Sequence, residues 1–82
     1  MAHVVAPADA AAQFTGGVAE FDIAADTVRR LIAELDRRYP GFGPYLDRRM
    51  AVAIDGEIHQ DAWTSPLKPD SEVFFIPKIG GG

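Results

Sequence analysis

The stretch Asp26-Thr27-Val28-Arg29-Arg30-Leu31-Ile32-Ala33-Glu34-Leu35-Asp36-Arg37-Arg38-Tyr39-Pro40-Gly41 decides the fold. Val28, Leu31, Ile32 and Leu35 recur at i, i+3, i+4 and i+7, which places all four on one face of a helix. Asp26 or Thr27 can accept hydrogen bonds from the free amides of the first turn, and Arg37 and Arg38 suit the negative pole at the other end. Pro40-Gly41 ends the helix.

Such a helix must bury its apolar stripe, and the sequence on either side offers strands to receive it. Upstream, Val18 to Ile23 alternates, with Val18, Glu20 and Asp22 on one side and Ala19, Phe21 and Ile23 on the other. Before it, His3 to Ala6 reads as a short first strand limited by Pro7, and Ala8 to Phe14 as an alanine-rich helical turn. Gly16-Gly17 supplies a reversal, so the first two strands are expected to form a hairpin. Downstream, Gly43-Pro44 is expected to start a short helical turn through Tyr45 and Leu46. Met50, Val52 and Ile54 then alternate with Ala51 and Ala53 as a third strand. Asp55-Gly56 is a two-residue hairpin signal, because a type I′ turn needs positive φ at both central positions, so Glu57 to His59 should return antiparallel. Pro66 to Ser71 reads as a turn-rich connection and Glu72 to Ile76 as the last strand, with Val73 and Phe75 opposite Phe74 and Ile76. The result is a two-layer α+β domain in which one main helix covers a mixed sheet. The last strand is expected at the centre, beside the first.

Composition agrees with a compact fold. A chain of 82 residues has room for one hydrophobic core, and 48% apolar with 24% charged residues is ordinary for a globular protein. There is no cysteine, which removes disulfides, a thiolate nucleophile and sulfur-based zinc sites. A net charge of -4 argues against nucleic acid as a partner. The arginine doublets Arg29-Arg30, Arg37-Arg38 and Arg48-Arg49 lie among Glu34, Asp36 and Asp47 and read as a mixed-charge, solvated face. Met1 to Pro7 carries no basic region with a long apolar run and no stretch is long enough for a membrane span, so a cytoplasmic protein is expected.

The catalytic inventory is nearly empty. His3 and His59 are far apart and fit no metal-ligand spacing, and Ser65 and Ser71 stand in turns without a nucleophile elbow. Gly16-Gly17 lacks the remainder of a phosphate loop, and Trp63 is expected to lie half-buried at the domain's edge. The exception is Gly80-Gly81-Gly82, which follows Pro77-Lys78-Ile79. Glycines make a slim segment that can enter a channel any Cβ would block, and the Gly82 carboxylate then becomes a deliverable group. A carboxylate is a poor electrophile, so it needs activation, for example as an acyl-adenylate open to a sulfur nucleophile.

Asp26-Thr27-Val28, Val52-Ala53-Ile54-Asp55-Gly56-Glu57, Pro66-Leu67-Lys68-Pro69-Asp70-Ser71-Glu72-Val73 and Phe75-Ile76-Pro77 with the glycine end together resemble the ThiS/MoaD group of ubiquitin-like sulfur carriers. Within that group they resemble the small, sulfur-carrying subunit of molybdopterin synthase. The resemblance implies a β-grasp domain over residues 1–79 and a flexible tail over 80–82. It implies a chain that is not catalytic alone and binds no cofactor, with ATP used by a ubiquitin-activating-like adenylyltransferase to adenylate Gly82. Conversion to a thiocarboxylate with a sulfur donor would follow. In the molybdopterin branch, Gly80, Gly81 and Gly82 would insert into the large synthase subunit and give sulfur to a cyclic pyranopterin precursor. Carriers for thiamin thiazole or cysteine, and protein modifiers joined to lysine, share the tail, and a β-grasp interaction module whose tail has no chemical role is the remaining alternative. The sheet face bearing Phe74 and Ile76, opposite the helix, is expected to dock the partner. Asp55 stands where the family usually has Asn, and Ser71 where Gly is frequent.

Overall fold

The computed structural model describes residues 1–59 and 64–78. Eight elements follow in order: β1 (Ala2–Val5), α1 (Ala8–Phe14), β2 (Glu20–Ile23), α2 (Val28–Arg38), α3 (Phe42–Arg49), β3 (Met50–Ile54), β4 (Glu57–His59) and β5 (Glu72–Pro77). The five strands form one sheet in the order β2-β1-β5-β3-β4. β1 and β5 run parallel, and the other neighbouring pairs are antiparallel. The last strand is therefore central and beside the first, as the sequence led us to expect. This is the β-grasp topology.

The decisive helix forms as its spacing requires. Thr27 caps it, its Oγ1 accepting from the Arg30 amide at 3.2 Å, while Arg37 and Arg38 occupy the last turn. Val28, Leu31, Ile32 and Leu35 are all buried and join one core cluster with Val4, Phe21, Ile23, Val52, Val73 and Phe75 from the sheet. The hairpin between β3 and β4 turns at Asp55 (φ 48°) and Gly56 (φ 87°), and its register pairs Ile54 with Glu57.

Three helices, not one and two brief turns, make the covering layer. The stretch after Gly43-Pro44 is a full helix of eight residues, α3. Its start is fixed from a distance: Asp36 of α2 accepts hydrogen bonds from the Gly41 and Gly43 amides, both at 3.0 Å. These amides would otherwise be orphans of the first turn. Pro44 lies in that same turn, where a missing N–H costs nothing. Gly43 is buried beneath Asp36, and a Cβ there would lie 2.7 Å from the Asp36 Cβ. α1 is likewise a helix, and it anchors the layer through Phe14, whose ring stacks on Phe42 at 5.2 Å. β1 and β2 pair antiparallel, as the expected hairpin requires, with α1 carried in the connection between them. β2 itself begins at Glu20 rather than Val18.

The two departures at Asp55 and Ser71 meet. Ser71 is 1% exposed, and its hydroxyl accepts from the Lys68 amide at 2.8 Å and donates to Asp55 Oδ2 at 3.1 Å. Asp55 Oδ1 also accepts from the Glu72 amide at 2.9 Å. That backbone donor, assisted by Ser71 and the Lys68 charge, holds the Asp55 carboxyl below its ordinary pKa. Aspartate at the hairpin and serine before β5 thus form one latch between the β3–β4 turn and the entry to β5.

Candidate docking face and tail root

Alternation along β5 divides the sheet into two surfaces. Val73 and Phe75 enter the core, with Phe75 3% exposed, whereas Phe74 on the other face is 43% exposed and Ile76 is half-buried. Register extends that face across the sheet. Phe74 pairs with Val5 on β1 and with Ala53 on β3, Ala53 pairs in turn with Ile58 on β4, and Ile76 pairs with Ala51. Ile58 is 61% exposed. The candidate residues Phe74 and Ile76 therefore sit at the middle of an apolar strip that also includes Val5 and Ile58, two residues the sequence reading did not select. Their places in line with Phe74 across the sheet become visible only once the register is known.

A charged cluster borders the strip. His3 of β1 lies between Asp22 and Glu20 of β2, with Nδ1 3.2 Å from Asp22 Oδ1 and Nε2 3.1 Å from Glu20 Oε1. The Asp22 hydrogen bond chiefly, with Glu20 adding to it, raises the His3 pKa above its ordinary 6.5. Glu72 of β5 pairs with His3 on its other side. His59 is on β4, with β5 and β3 standing between the two histidine-bearing strands. They form no site together, and no cluster of three metal-binding side chains occurs among the described residues. Ser71 is spent in the latch described above. No helix among the described residues is long and apolar enough to cross a membrane.

The glycine tail springs from the end of β5. Gly80, Gly81 and Gly82 lie outside the described residues, as do Ile79 and Trp63. The last described residue, Lys78, is tied at two points: its amide donates to the Arg49 carbonyl at 3.0 Å, and its Nζ donates to the Asp47 carbonyl at 3.1 Å. The root of the tail is thereby fixed against the C-terminal turn of α3.

The arginine doublets do not behave alike. Arg37 and Arg38 both hold Glu34, and their hydrogen bonds, Arg37's foremost, lower its pKa to about 2. Arg30 approaches Asp26 at 3.7 Å. Arg48 and Arg49 have no ion-pair partner among the described residues. A signal for this difference stands in the sequence: Glu34 precedes Arg37 and Arg38 by three and four residues, whereas Pro44, Tyr45 and Leu46 hold the equivalent places before Arg48 and Arg49.

A model of the ThiS family matches residues 9–82. The chain belongs to the ThiS family. Solved structures carry the same fold. Mycobacterium tuberculosis CysO, described as an antigen, superposes with a TM-score of 0.82 at 18% identity, over 96% of this chain and 100% of that one. A chain of the Amycolatopsis orientalis BexX/CysO complex gives 0.83 at 20% identity, with both chains fully covered. The small archaeal modifier protein 1 of Methanosarcina acetivorans gives 0.76 at 18% identity, over 99% and 95%. At these identities the likeness is one of fold. No curated protein matches the ThiS-family chain.

Proposed function

We propose that this ThiS-family protein is a sulfur carrier that works through the carboxylate of Gly82. The observation that carries the reading is the family match, which runs through the glycine tail to residue 82. A tail without side chains, leaving a rigid root, supports the same conclusion, because it lets a partner's active site reach the backbone terminus. In the first step a Gly82 carboxylate oxygen attacks the α-phosphorus of ATP on an adenylyltransferase, forming the acyl-adenylate and releasing pyrophosphate. A sulfur nucleophile from a donor then attacks the carbonyl carbon and displaces AMP, leading to the thiocarboxylate. The chain supplies the acyl group and no catalytic side chain, and it binds no cofactor of its own.

The acceptor we favour is the pyranopterin precursor of molybdopterin, held by a large synthase subunit in the cytoplasm. Its support is the sequence resemblance to the small subunit of that synthase. The open strip around Phe74 and Ile76 is the face offered to both the activating and the accepting enzyme. A second reading, conjugation of Gly82 to a lysine amine, is favoured by the structural likeness to a protein named a small archaeal modifier.

Intact-mass and fragmentation analysis of the chain taken from its native cell tests the carrier role. A sulfur-for-oxygen replacement confined to Gly82 is expected. A carboxylate that stays unmodified with ATP, the host's activating enzyme and a sulfur donor present would sink the proposal. Gly82 found in isopeptide linkage to lysine would favour the modifier reading.

A further inference from the structure

Taking Gly82 as the reacting terminus, as proposed above, we infer that Arg48, Arg49 and Lys78 form a cationic rim around the tail root that docks on a carboxylate-bearing channel mouth of the activating enzyme. Arg48 and Arg49 end α3, and Lys78 is bonded to that same turn by its amide and its Nζ. All three cations line one open cleft, together with Asp9, Tyr45, Met50 and Pro77. All three cationic side chains are exposed.

The helix dipole gives a reason for cations in the last turn of α3, but the same reason applies to α2, where both arginines are ion-paired to Glu34. What distinguishes α3 is that its pair has no carboxylate partner among the described residues and is joined by a third cation at the tail root. This happens in a chain whose net charge is -4. The negative groups Asp22 and Glu72 lie near the opposite end of β5, so charge is polarised along the strand that launches the tail.

Reach turns this polarity into a contact. Residues 79–82 separate Lys78 from the Gly82 carboxylate taken as the reacting group. Fully extended, four residues span about 13 Å. An enzyme acting on the Gly82 carbonyl must therefore bring the mouth of its channel against the root of the tail. Three cations covered there without counter-charge would oppose binding, whereas carboxylates around the mouth would steer the tail end toward it and fix its register.

The test is ATP–pyrophosphate exchange by the adenylyltransferase encoded in the same genome, with the full 82-residue chain as substrate. Arg48→Gln/Arg49→Gln is compared with Arg37→Gln/Arg38→Gln, which removes the same charge from α2, and with Arg48→Glu/Arg49→Glu. Matching thermal melts establish that the variants are folded. The rim predicts that KM for the carrier rises about tenfold in the α3 neutral variant and further on charge reversal, with kcat unchanged. The α2 variant should stay within about twofold, and added salt should raise KM for the native chain more than for the α3 variant. Equal KM values for the two double variants would overturn the rim while leaving the carrier role intact. So would a change confined to the KM for ATP, which would assign the arginines to the nucleotide's phosphates instead. Absence of exchange with the native chain itself would remove the carrier reading, and the rim with it.

Discussion

Phe74 and Phe75 are adjacent on one strand and do opposite things. The Phe75 ring is buried in the core cluster that also holds Val4, Val52 and the α2 stripe, while Phe74 stands in the open on the other face. The backbone pleat turns them apart, but it is the helical layer that makes one side an interior and leaves the other side a surface. Half of the strand's apolar side chains hold the fold together, and the other half lie on the open face, where we propose that a partner docks. Stability and recognition are thus coded in alternate positions and should respond separately to substitution.

The sharpest way to break that comparison is to truncate each ring in turn. Phe75→Ala removes a buried aromatic and is expected to cost about 3–5 kcal/mol, measured by urea denaturation. Phe74→Ala should cost about 1 kcal/mol or less, since its ring is largely solvated already. Binding to the activating enzyme, followed by calorimetry on the folded variant, should nonetheless weaken markedly for Phe74→Ala. If the two substitutions destabilise equally, the open face is part of the core and the division proposed for β5 fails.

A smaller effect probes the covering layer. Gly43→Ala places a Cβ 2.7 Å from the Asp36 Cβ, so α2 and α3 must separate or Asp36 must turn away. Turning it releases the Gly41 and Gly43 amides from their shared acceptor. Alanine's better helix propensity returns up to about 1 kcal/mol, less in a first turn. Overpacking of this kind costs about 1–3 kcal/mol, to which the lost cap adds, so we expect net destabilisation of that order. Stability equal to that of the native chain would show that Asp36 does not position α3.

Those two pairs also mark what was legible in the sequence. The α2 stripe, the β5 alternation and the Asp55-Gly56 turn are local patterns of fixed period, and each is present in the structure. The full length of α3 was not legible because its first amides are satisfied by Asp36, a residue of the preceding helix whose pairing looked like that of any charge among arginines. Phe74 and Ile76 could be placed on a face opposite the helix, but Val5 and Ile58 join them only through register between distant strands. The cationic rim required the return of the chain that brings Lys78 back to the end of α3. That Arg48 and Arg49 have no ion-pair partner among the described residues was nevertheless foreshadowed three and four residues upstream, where no glutamate stands.

His3 and the carboxylates around it make a titrating cluster on the open face, and it yields the smallest effect. His3 is opposed by Asp22 and Glu20 from β2 and by Glu72 from β5, with no cation paired to the cluster among the described residues. Its folded pKa is raised, the Asp22 hydrogen bond being the main cause. A raised histidine pKa means that protonated His3 stabilises the fold fully below the ordinary value of 6.5, and that this contribution fades as pH climbs through the folded pKa. The groups are exposed, so the effect is modest and screened by salt. NMR titration should find the His3 ring changing state above 6.5, with the shift shrinking at high ionic strength. Between slightly acidic and alkaline pH, the native chain should lose a little more thermal stability than His3→Gln. A His3 that titrates at or below its ordinary value would mean that the two β2 carboxylates do not hold it, and that the border of the apolar strip is simply negative across the physiological range.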